Sequence, residues 1–200
     1  EDFSEPKING NGSGTTVRLS NYKEEYQKNL EFDLHSIARE ITAHFQLYFI
    51  RKQAPRIIVK NQNNIQFNLT KLFALEFKGE IEDKDFYIGE EKFTIYLTKS
   101  LKIQSHKIHF CAHNRSVIKE GLYSLIVDLG KYSIKDEDGN HFYYQAYVVG
   151  DTLDEFVDTE RIGFNFPDDN EEDDDETIDL NLANLRRASV NCIEEILEEY

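Results

Sequence analysis

The sequence predicts an α+β fold in which a mixed β-sheet packs against helices. Two segments repeat apolar residues with the helical period of 3.6, and several short segments between them alternate with the period of two that is typical of strands. The 14 Phe and 11 Tyr side chains suit a β-containing core. A chain of 200 residues is long enough to bury such a core.

The first helix is predicted over residues 33–50. Its apolar side chains recur at spacings of three and four and share one face: Leu34, Ile37, Ala38, Ile41, Phe45 and Tyr48. Asp33 is placed to cap the N-terminus, and Pro55 sets a limit that the helix should not cross. A single apolar face indicates that this helix packs on the sheet.

Strands are predicted beside polar turns. Residues 56–60 and 64–68 flank Asn61-Gln62-Asn63, which has the length and polarity of a hairpin turn. Asp138-Gly139-Asn140 has turn chemistry and lies between residues 132–135 and Phe142. The other strand candidates are residues 15–19, 93–99, 107–112, 122–129 and 142–149. Residues 72–101 are harder to assign, because residues 71–77 suit either a strand or a helical turn.

A second amphipathic helix follows an acidic run. Residues 168–176 hold eight of the 38 acidic residues and no basic one, and they are predicted to be a linker. The helix is predicted within residues 177–200, and its buried stripe consists of Leu182, Leu185, Ser189, Cys192, Ile193 and Ile196. We expect one side of the sheet to be covered by the first helix and this C-terminal helix.

Composition excludes several classes of protein. The net charge of −15 argues against a dedicated binder of the nucleic-acid backbone, although other parts of a larger protein could still contact DNA. No apolar run reaches the roughly 18 residues of a membrane span, and residues 1–20 contain no signal-peptide core. Cys111 and Cys192 lie far apart and suit reduced structural thiols. We therefore expect a cytoplasmic protein with no membrane association. The absence of methionine indicates that Glu1 is a boundary within a longer protein.

Two groups of side chains and one loop are candidates for chemistry. The first group has metal-binding side chains: His106, His109, Cys111 and His113. On a strand, positions 106 and 109 point to opposite faces, so a metal site is not expected there. The second group offers carboxylates for acid–base work or a cation, although an exposed acidic loop is favoured: Asp151, Asp154, Glu155, Asp158 and Glu160. Residues 10–14 are glycine-rich and could cradle phosphate, with a flexible loop as the default interpretation.

Four patterns follow one another in an informative order. They are residues 12–19 (GSGTTVRL), the helix at 33–50 followed by RIIVK, residues 109–117 (HFCAHNRSV), and residues 153–164 (LDEFVDTERIGF). In this order they resemble the GHKL ATPase superfamily, which includes MutL, the ATP-hydrolysing component of DNA gyrase, the MORC proteins and the large heat-shock chaperones. The resemblance covers roughly residues 12–166 as scattered motifs. Bacterial members linked to DNA processing or phage defence are the most similar in character.

The resemblance implies a domain organisation. Residues 1–20 would be the end of an ATP-lid region and the last strand of a truncated ATPase domain. Residues 21–167 would be a transducer-like βαβ domain, residues 168–176 a linker, and residues 177–200 a C-terminal helix. Partners implied are the missing N-terminal ATPase domain and a second copy of the parent chain, with a possible indirect link to nucleic acid.

The resemblance also implies site residues. Gly12, Gly14, Thr15 and Thr16 correspond to the glycine-threonine motif that closes the nucleotide site. Asn114 and Arg115 correspond to the polar residues of a strand-and-turn motif of the family. Arg161 corresponds to the basic loop residue, often Lys in the family, that contacts the ATP γ-phosphate, and a guanidinium suits phosphate well. ATP with Mg²⁺ is implied for the parent protein, and no cofactor is expected for this chain alone.

Two functions remain open from the sequence. The first is a transducer segment that relays ATP binding and hydrolysis to C-terminal parts, with Arg161 sensing the γ-phosphate. The second is a non-enzymatic module that recruits a basic partner through a sheet edge or the acidic run. For Arg161 itself, the alternative is a surface arginine paired with nearby acids at Asp154, Asp158 or Glu160. A self-contained hydrolase is not expected, because no nucleophile–base motif can be recognised.

Overall fold

The computed structural model describes residues 14–20, 33–166 and 180–198, without the side chains of residues 77–80 and 127. Gly12, the predicted linker at 168–176 and most of the predicted N-terminal segment lie outside these ranges. Within them, no helix has both the length and the apolar character that crossing a membrane requires.

The predicted first helix is present, but it is interrupted once. Helix α1 (Leu34–His44) begins after Asp33, whose carboxylate accepts hydrogen bonds of 3.2 Å from the amides of His35 and Ser36. These bonds hold the pKa of Asp33 below its usual value. Phe45 departs from helical geometry (φ −97°, ψ 15°), and α2 (Gln46–Ile50) follows it directly. The helix predicted over residues 33–50 is therefore confirmed as two consecutive helices.

The predicted hairpin is also confirmed. Strands β1 (Ile58–Lys60) and β2 (Gln66–Asn68) pair antiparallel. The Asn61 side chain accepts two hydrogen bonds of 3.0 Å, from the amides of Asn63 and Ile65, and so closes the turn. Helix α3 (Leu69–Glu76) follows at once, so residues 71–76 of the ambiguous segment are helical and Phe77 begins the next strand.

The main sheet is mixed, as predicted. In the described ranges its strands are β3 (Phe77–Ile88), β4 (Glu91–Ser100), β5 (Lys107–Ala112), β6 (Arg115–Gly121), β7 (Ile134–Lys135) and β8 (His141–Val149). Their order is β3-β4-β8-β5-β6, with β7 attached to β8. The β5–β8 pair is parallel, and the other neighbouring pairs are antiparallel. Two further helices follow β8, α4 (Asp151–Phe156) and α5 (Leu182–Glu198).

The sheet buries a core on each face. The first core packs strand residues against α5: Ile95, Phe110, Val148, Leu185 and Ile193. The second core packs strand residues against α1, α2 and α3: Cys111, Tyr147, Ala38, Leu47 and Leu69. Because successive strand residues point to opposite faces, the first helix and the C-terminal helix lie on opposite sides. The expectation that both cover one side is therefore wrong.

Helix α5 has the stripe that the sequence predicted. Its buried residues are Leu185, Ser189, Cys192, Ile193 and Ile196. Arg186 anchors the helix to β6 through a bidentate ion pair with Glu120, with N–O distances of 2.6 to 2.9 Å. The apolar stripe and this ion pair fix how α5 lies on the sheet.

Two predicted strands are absent. Residues 122–129, predicted as a strand, form two short 3₁₀ turns, Leu122–Ser124 and Val127–Leu129. Leu122 and Ile126 of this apolar run are buried in the first core, although the run pairs with no described strand. Residues 15–19 also form no strand in the described segment 14–20, where Val17 and Leu19 are 73% and 71% exposed. A short β-branched run pairs only when a neighbouring strand is in reach.

Candidate functional site

A polar pocket of about 260 Å³ opens at the edge of the main sheet where its central strands end. Because β5 and β8 are parallel, their carboxyl ends meet at this edge, and antiparallel β4 begins there. The carboxyl ends of parallel strands are where open α/β sheets generally bind ligands. The lining residues come from β4, β8, α4, the end of α2 and the β5–β6 turn: Arg51, Lys92, Thr94, Tyr96, Asn114, Val149, Gly150, Asp151 and Asp154.

The β5–β6 turn places Asn114 in this pocket. His113 and Asn114 form a two-residue turn in which both backbones are left-handed, with φ of 48° and 60°. Asn tolerates this conformation better than most residues. The Asn114 side-chain oxygen accepts a hydrogen bond of 2.6 Å from Arg51 Nη1, so the turn holds the arginine at the end of α2.

Asp154 joins two of the motifs that the sequence singled out. Its Oδ1 accepts a hydrogen bond of 2.6 Å from the His113 amide, and its Oδ2 lies 3.8 Å from His113 Nδ1. Residues 109–117 and 153–164 are therefore in direct contact. Asp151 and Asp154 of the candidate acidic group line the same pocket, although within the described residues no group of three or more His, Cys, Asp or Glu side chains could hold a metal ion.

Lys92 also lines the pocket, and it forms an ion pair. Its Nζ lies 2.6 Å from Asp85 Oδ2, and Thr94 donates to the other oxygen of the same carboxylate at 2.7 Å. These contacts lower the pKa of Asp85 and raise the pKa of Lys92. Gly150 packs tightly beside this group, since a Cβ there would lie 2.7 Å from the Phe93 ring.

Arg161 lies on a separate loop and is not among the residues that line the pocket. The loop is closed by a β-bridge between Val157 and Phe164, and the Arg161 amide donates to the Asp158 carbonyl at 3.1 Å. Its backbone is left-handed (φ 59°), and its side chain is exposed. Among the described residues it forms no ion pair, so the interpretation as a surface arginine paired with Asp154, Asp158 or Glu160 finds no support.

The remaining predicted residues do not reach the pocket. Arg115 is exposed at the start of β6, where it pairs with Ala112. Gly14, Thr15 and Thr16 lie in an exposed segment without regular secondary structure, and among the described residues nothing beyond its chain neighbours lies within 4 Å of the position that a Gly14 Cβ would take. Of the described residues that the family resemblance assigns to the site, Asn114 alone lines the pocket, and Asp151 and Asp154 of the candidate acidic group line it as well.

A second polar cluster surrounds His109, which is 7% exposed. The Gln145 amide nitrogen donates to the carbonyls of Ser105 and Tyr144, so its oxygen faces His109 Nε2 at 3.3 Å and accepts from it. His109 therefore carries its proton on Nε2, and Nδ1 accepts from Ser116 Oγ at 3.0 Å. Burial lowers the pKa of His109 to about 4, outweighing the hydrogen bond to Gln145.

The Ser116–His109 pair resembles a nucleophile and its base, but the surroundings indicate a structural role. The Tyr147 ring stacks on the imidazole with centroids 4.6 Å apart, and its hydroxyl accepts from Gln46. Burial raises the pKa of both Tyr147 and Cys111. The adjoining cavity is about 50 Å³, room for one or two waters rather than a substrate. His106 is held elsewhere, between the Tyr132 carbonyl (2.8 Å) and the Tyr144 amide (2.9 Å).

Sequence reasoning missed Arg51, and it considered His109 only as a metal ligand that was not expected. The signal at His109 was Cys111, an apolar residue on the same face of the strand, because apolar residues on both faces indicate that both are packed. Arg51 gave no local signal, because its partner Asn114 is 63 residues away.

No protein-family model matches the chain, and neither a curated protein nor a solved structure is significantly similar to it.

Proposed function

We propose that this chain is the transducer segment of a larger GHKL-type ATP-binding protein. In this proposal it relays ATP binding and hydrolysis to C-terminal parts, and Arg161 contacts the γ-phosphate. The order of the four sequence motifs supports the family. The observation that carries the proposal is the exposed Arg161 guanidinium, which pairs with no carboxylate among the described residues, on a short closed loop.

The loop geometry suits a phosphate contact. The Val157–Phe164 bridge limits the motion of the loop, and Ile162 donates to Asp158 Oδ1 at 2.9 Å within it. These contacts restrain the loop backbone that carries Arg161, and the fork of a guanidinium matches phosphate oxygens. Nearby carboxylates weaken the attraction for a free anion, so the contact would depend on ATP already bound by the upstream domain.

A physical path leads from this loop into the sheet. Asn165 donates to the Phe156 carbonyl at 2.7 Å and so ties the loop to α4. From α4, Asp154 holds the β5–β6 turn, and that turn holds Arg51 at the end of α2. A contact that is made with ATP and lost with ADP would bias the position of α4 and of the helices behind it. In the intact protein we infer a homodimer in the cytoplasm, with Mg²⁺ bound by upstream residues.

The test uses the intact parent protein with Arg161→Ala. We expect kcat for ATP hydrolysis to fall on the order of 10²-fold, the scale for losing one group that stabilises developing charge. The Kd for a nonhydrolysable ATP analogue should change little. Arg56→Ala is the matched control, since it removes an exposed arginine outside the loop. An unchanged kcat in Arg161→Ala would refute the role, as would ATP turnover by the pure 200-residue chain.

A non-enzymatic interaction module is the second candidate, and the sheet edges favour it. Among the described strands β3 and β6 each pair on one side only, and an open edge can accept a strand from a partner. The sequence upstream of Glu1 discriminates between the candidates. An N-E-x-x-D-A helix and a D-x-G-x-G motif there would favour the transducer, and their absence would favour the module.

A further inference from the structure

The pocket at the sheet edge contains one cation that forms no ion pair among the described residues. Arg51 lines the pocket, and its Nη1 donates to Asn114, which is a neutral partner. Its Nε is buried without a hydrogen-bond acceptor, and among the described residues no carboxylate lies within ion-pair distance of the guanidinium. A buried donor of a charged group that lacks an acceptor is costly. Asn114 therefore holds the Arg51 side chain through Nη1, and no carboxylate among the described residues pairs with its charge.

The other cation of the pocket is not available. Lys92 is neutralised by Asp85 at 2.6 Å, and that carboxylate is also bound by Thr94. An anion that enters the pocket would therefore be attracted to Arg51 in particular.

The same pocket is also lined by two carboxylates, neither of which lies within ion-pair distance of Arg51. Asp154 accepts one backbone hydrogen bond, from His113, and Asp151 is exposed without an ion pair among the described residues. Both line the pocket with Arg51. A ligand with only negative charge, and a phosphate dianion above all, would be repelled by them. A ligand with both signs would satisfy the arginine and the carboxylates together.

We propose that this pocket binds a small zwitterion of the α-amino acid kind. The carboxylate would lie on Arg51, which Asn114 holds, and the ammonium group would lie toward Asp151 and Asp154. A planar carboxylate matches the guanidinium fork. The pocket volume of about 260 Å³ lies just below the usual range for small-molecule sites, which suits a ligand of few atoms. Binding at this site does not require that Arg161 contact a nucleotide.

The test titrates the 200-residue chain with L-alanine, acetate and ethylammonium, following amide chemical shifts by NMR. We expect L-alanine to bind saturably and at least about tenfold more tightly than acetate or ethylammonium, which each satisfy one half of the site. The shift changes should be largest at Arg51, Asn114 and Asp151. Absence of saturable L-alanine binding, or acetate binding as tightly as L-alanine, would overturn the proposal.

Variants separate the two halves of the site. Arg51→Gln should raise the Kd for L-alanine at least about tenfold, whereas Arg56→Gln, which removes an exposed arginine, should leave it unchanged. Asp151→Asn should weaken L-alanine and leave acetate binding unchanged or tighter. Glycine also tolerates the left-handed backbone of this turn, so Asn114→Gly should preserve the turn and remove the side-chain oxygen that holds Arg51. This variant should therefore also bind L-alanine more weakly. Equal affinities in Arg51→Gln and the wild type would contradict the assignment.

Discussion

Buried His109 should make the stability of this protein depend on pH in a predictable way. Burial lowers its pKa to about 4 in the folded state, whereas an unfolded histidine titrates near 6.5. Between these values the unfolded chain binds a proton that the folded chain does not. The stabilising contribution is therefore complete above the unfolded pKa and is lost as the pH falls toward the folded pKa. Between pH 7 and about pH 5 the loss amounts to about 2 kcal/mol.

The assay compares the wild type with His109→Gln by urea unfolding, followed by circular dichroism, at these two pH values. The variant loses hydrogen bonds and is less stable at both, so the informative quantity is the difference in pH dependence. We expect the wild type to lose about 2 kcal/mol more than His109→Gln on acidification. His35→Gln, which removes an exposed histidine, should behave like the wild type. An equal pH dependence in the wild type and His109→Gln would refute the inference that folding keeps this imidazole neutral.

Two further predictions concern α5 and the thiols. Ile193 is fully buried against the sheet, so Ile193→Ala should lower the free energy of unfolding, measured by urea denaturation, by about 2–5 kcal/mol. Asn191→Ala, on the exposed side of the same helix, should stay within about 0.5 kcal/mol of the wild type. Similar losses in both variants would argue against this docking of α5. Burial raises the pKa of Cys192 to about 11 and also raises that of Cys111, so neither thiol should react with a maleimide in the folded protein at neutral pH, whereas both should react in urea. Rapid labelling of the folded chain would show that these side chains are not buried.

The local elements of the fold were predictable because their signals lie within a few residues. Asp33 precedes an apolar helical stripe, and the structure uses it as the cap. The helix at 182–198 buries five of the six residues in its predicted stripe. The polar turn at residues 61–63 closes a hairpin. In each case the hydrogen bonds that decide the structure join residues close in sequence.

The two strand predictions that were wrong, for residues 15–19 and 122–129, share one cause. An apolar run is equally suited to a strand and to an irregular segment over the core, and residues 122–129 adopt the latter. Whether residues 15–19 could pair depended on a neighbouring strand, and none pairs with them in the described ranges. Pairing is a tertiary decision, because a strand gains its hydrogen bonds from another part of the chain.

The candidate site divides in the same way. The sequence singled out Asn114 and the segment 153–164, and Asp154 of that segment does contact the turn that carries Asn114. It offered no reason to choose Arg51, because the contact with Asn114 requires the end of α2 to meet a turn 63 residues later. The role of Arg161 stays a prediction, since a contact with a nucleotide involves a partner outside these residues.

The sequence by itself determined that this is a mixed α+β protein with two amphipathic helices, and it located most strands and turns. Local periodicity, capping and turn chemistry are sufficient for that. Only the tertiary structure decided that the helices cover opposite faces, that β5 and β8 run parallel, and that Arg51 meets Asn114 and two carboxylates in one pocket. Those outcomes depend on which distant surfaces exclude water together, and one-dimensional periodicity does not specify that pairing.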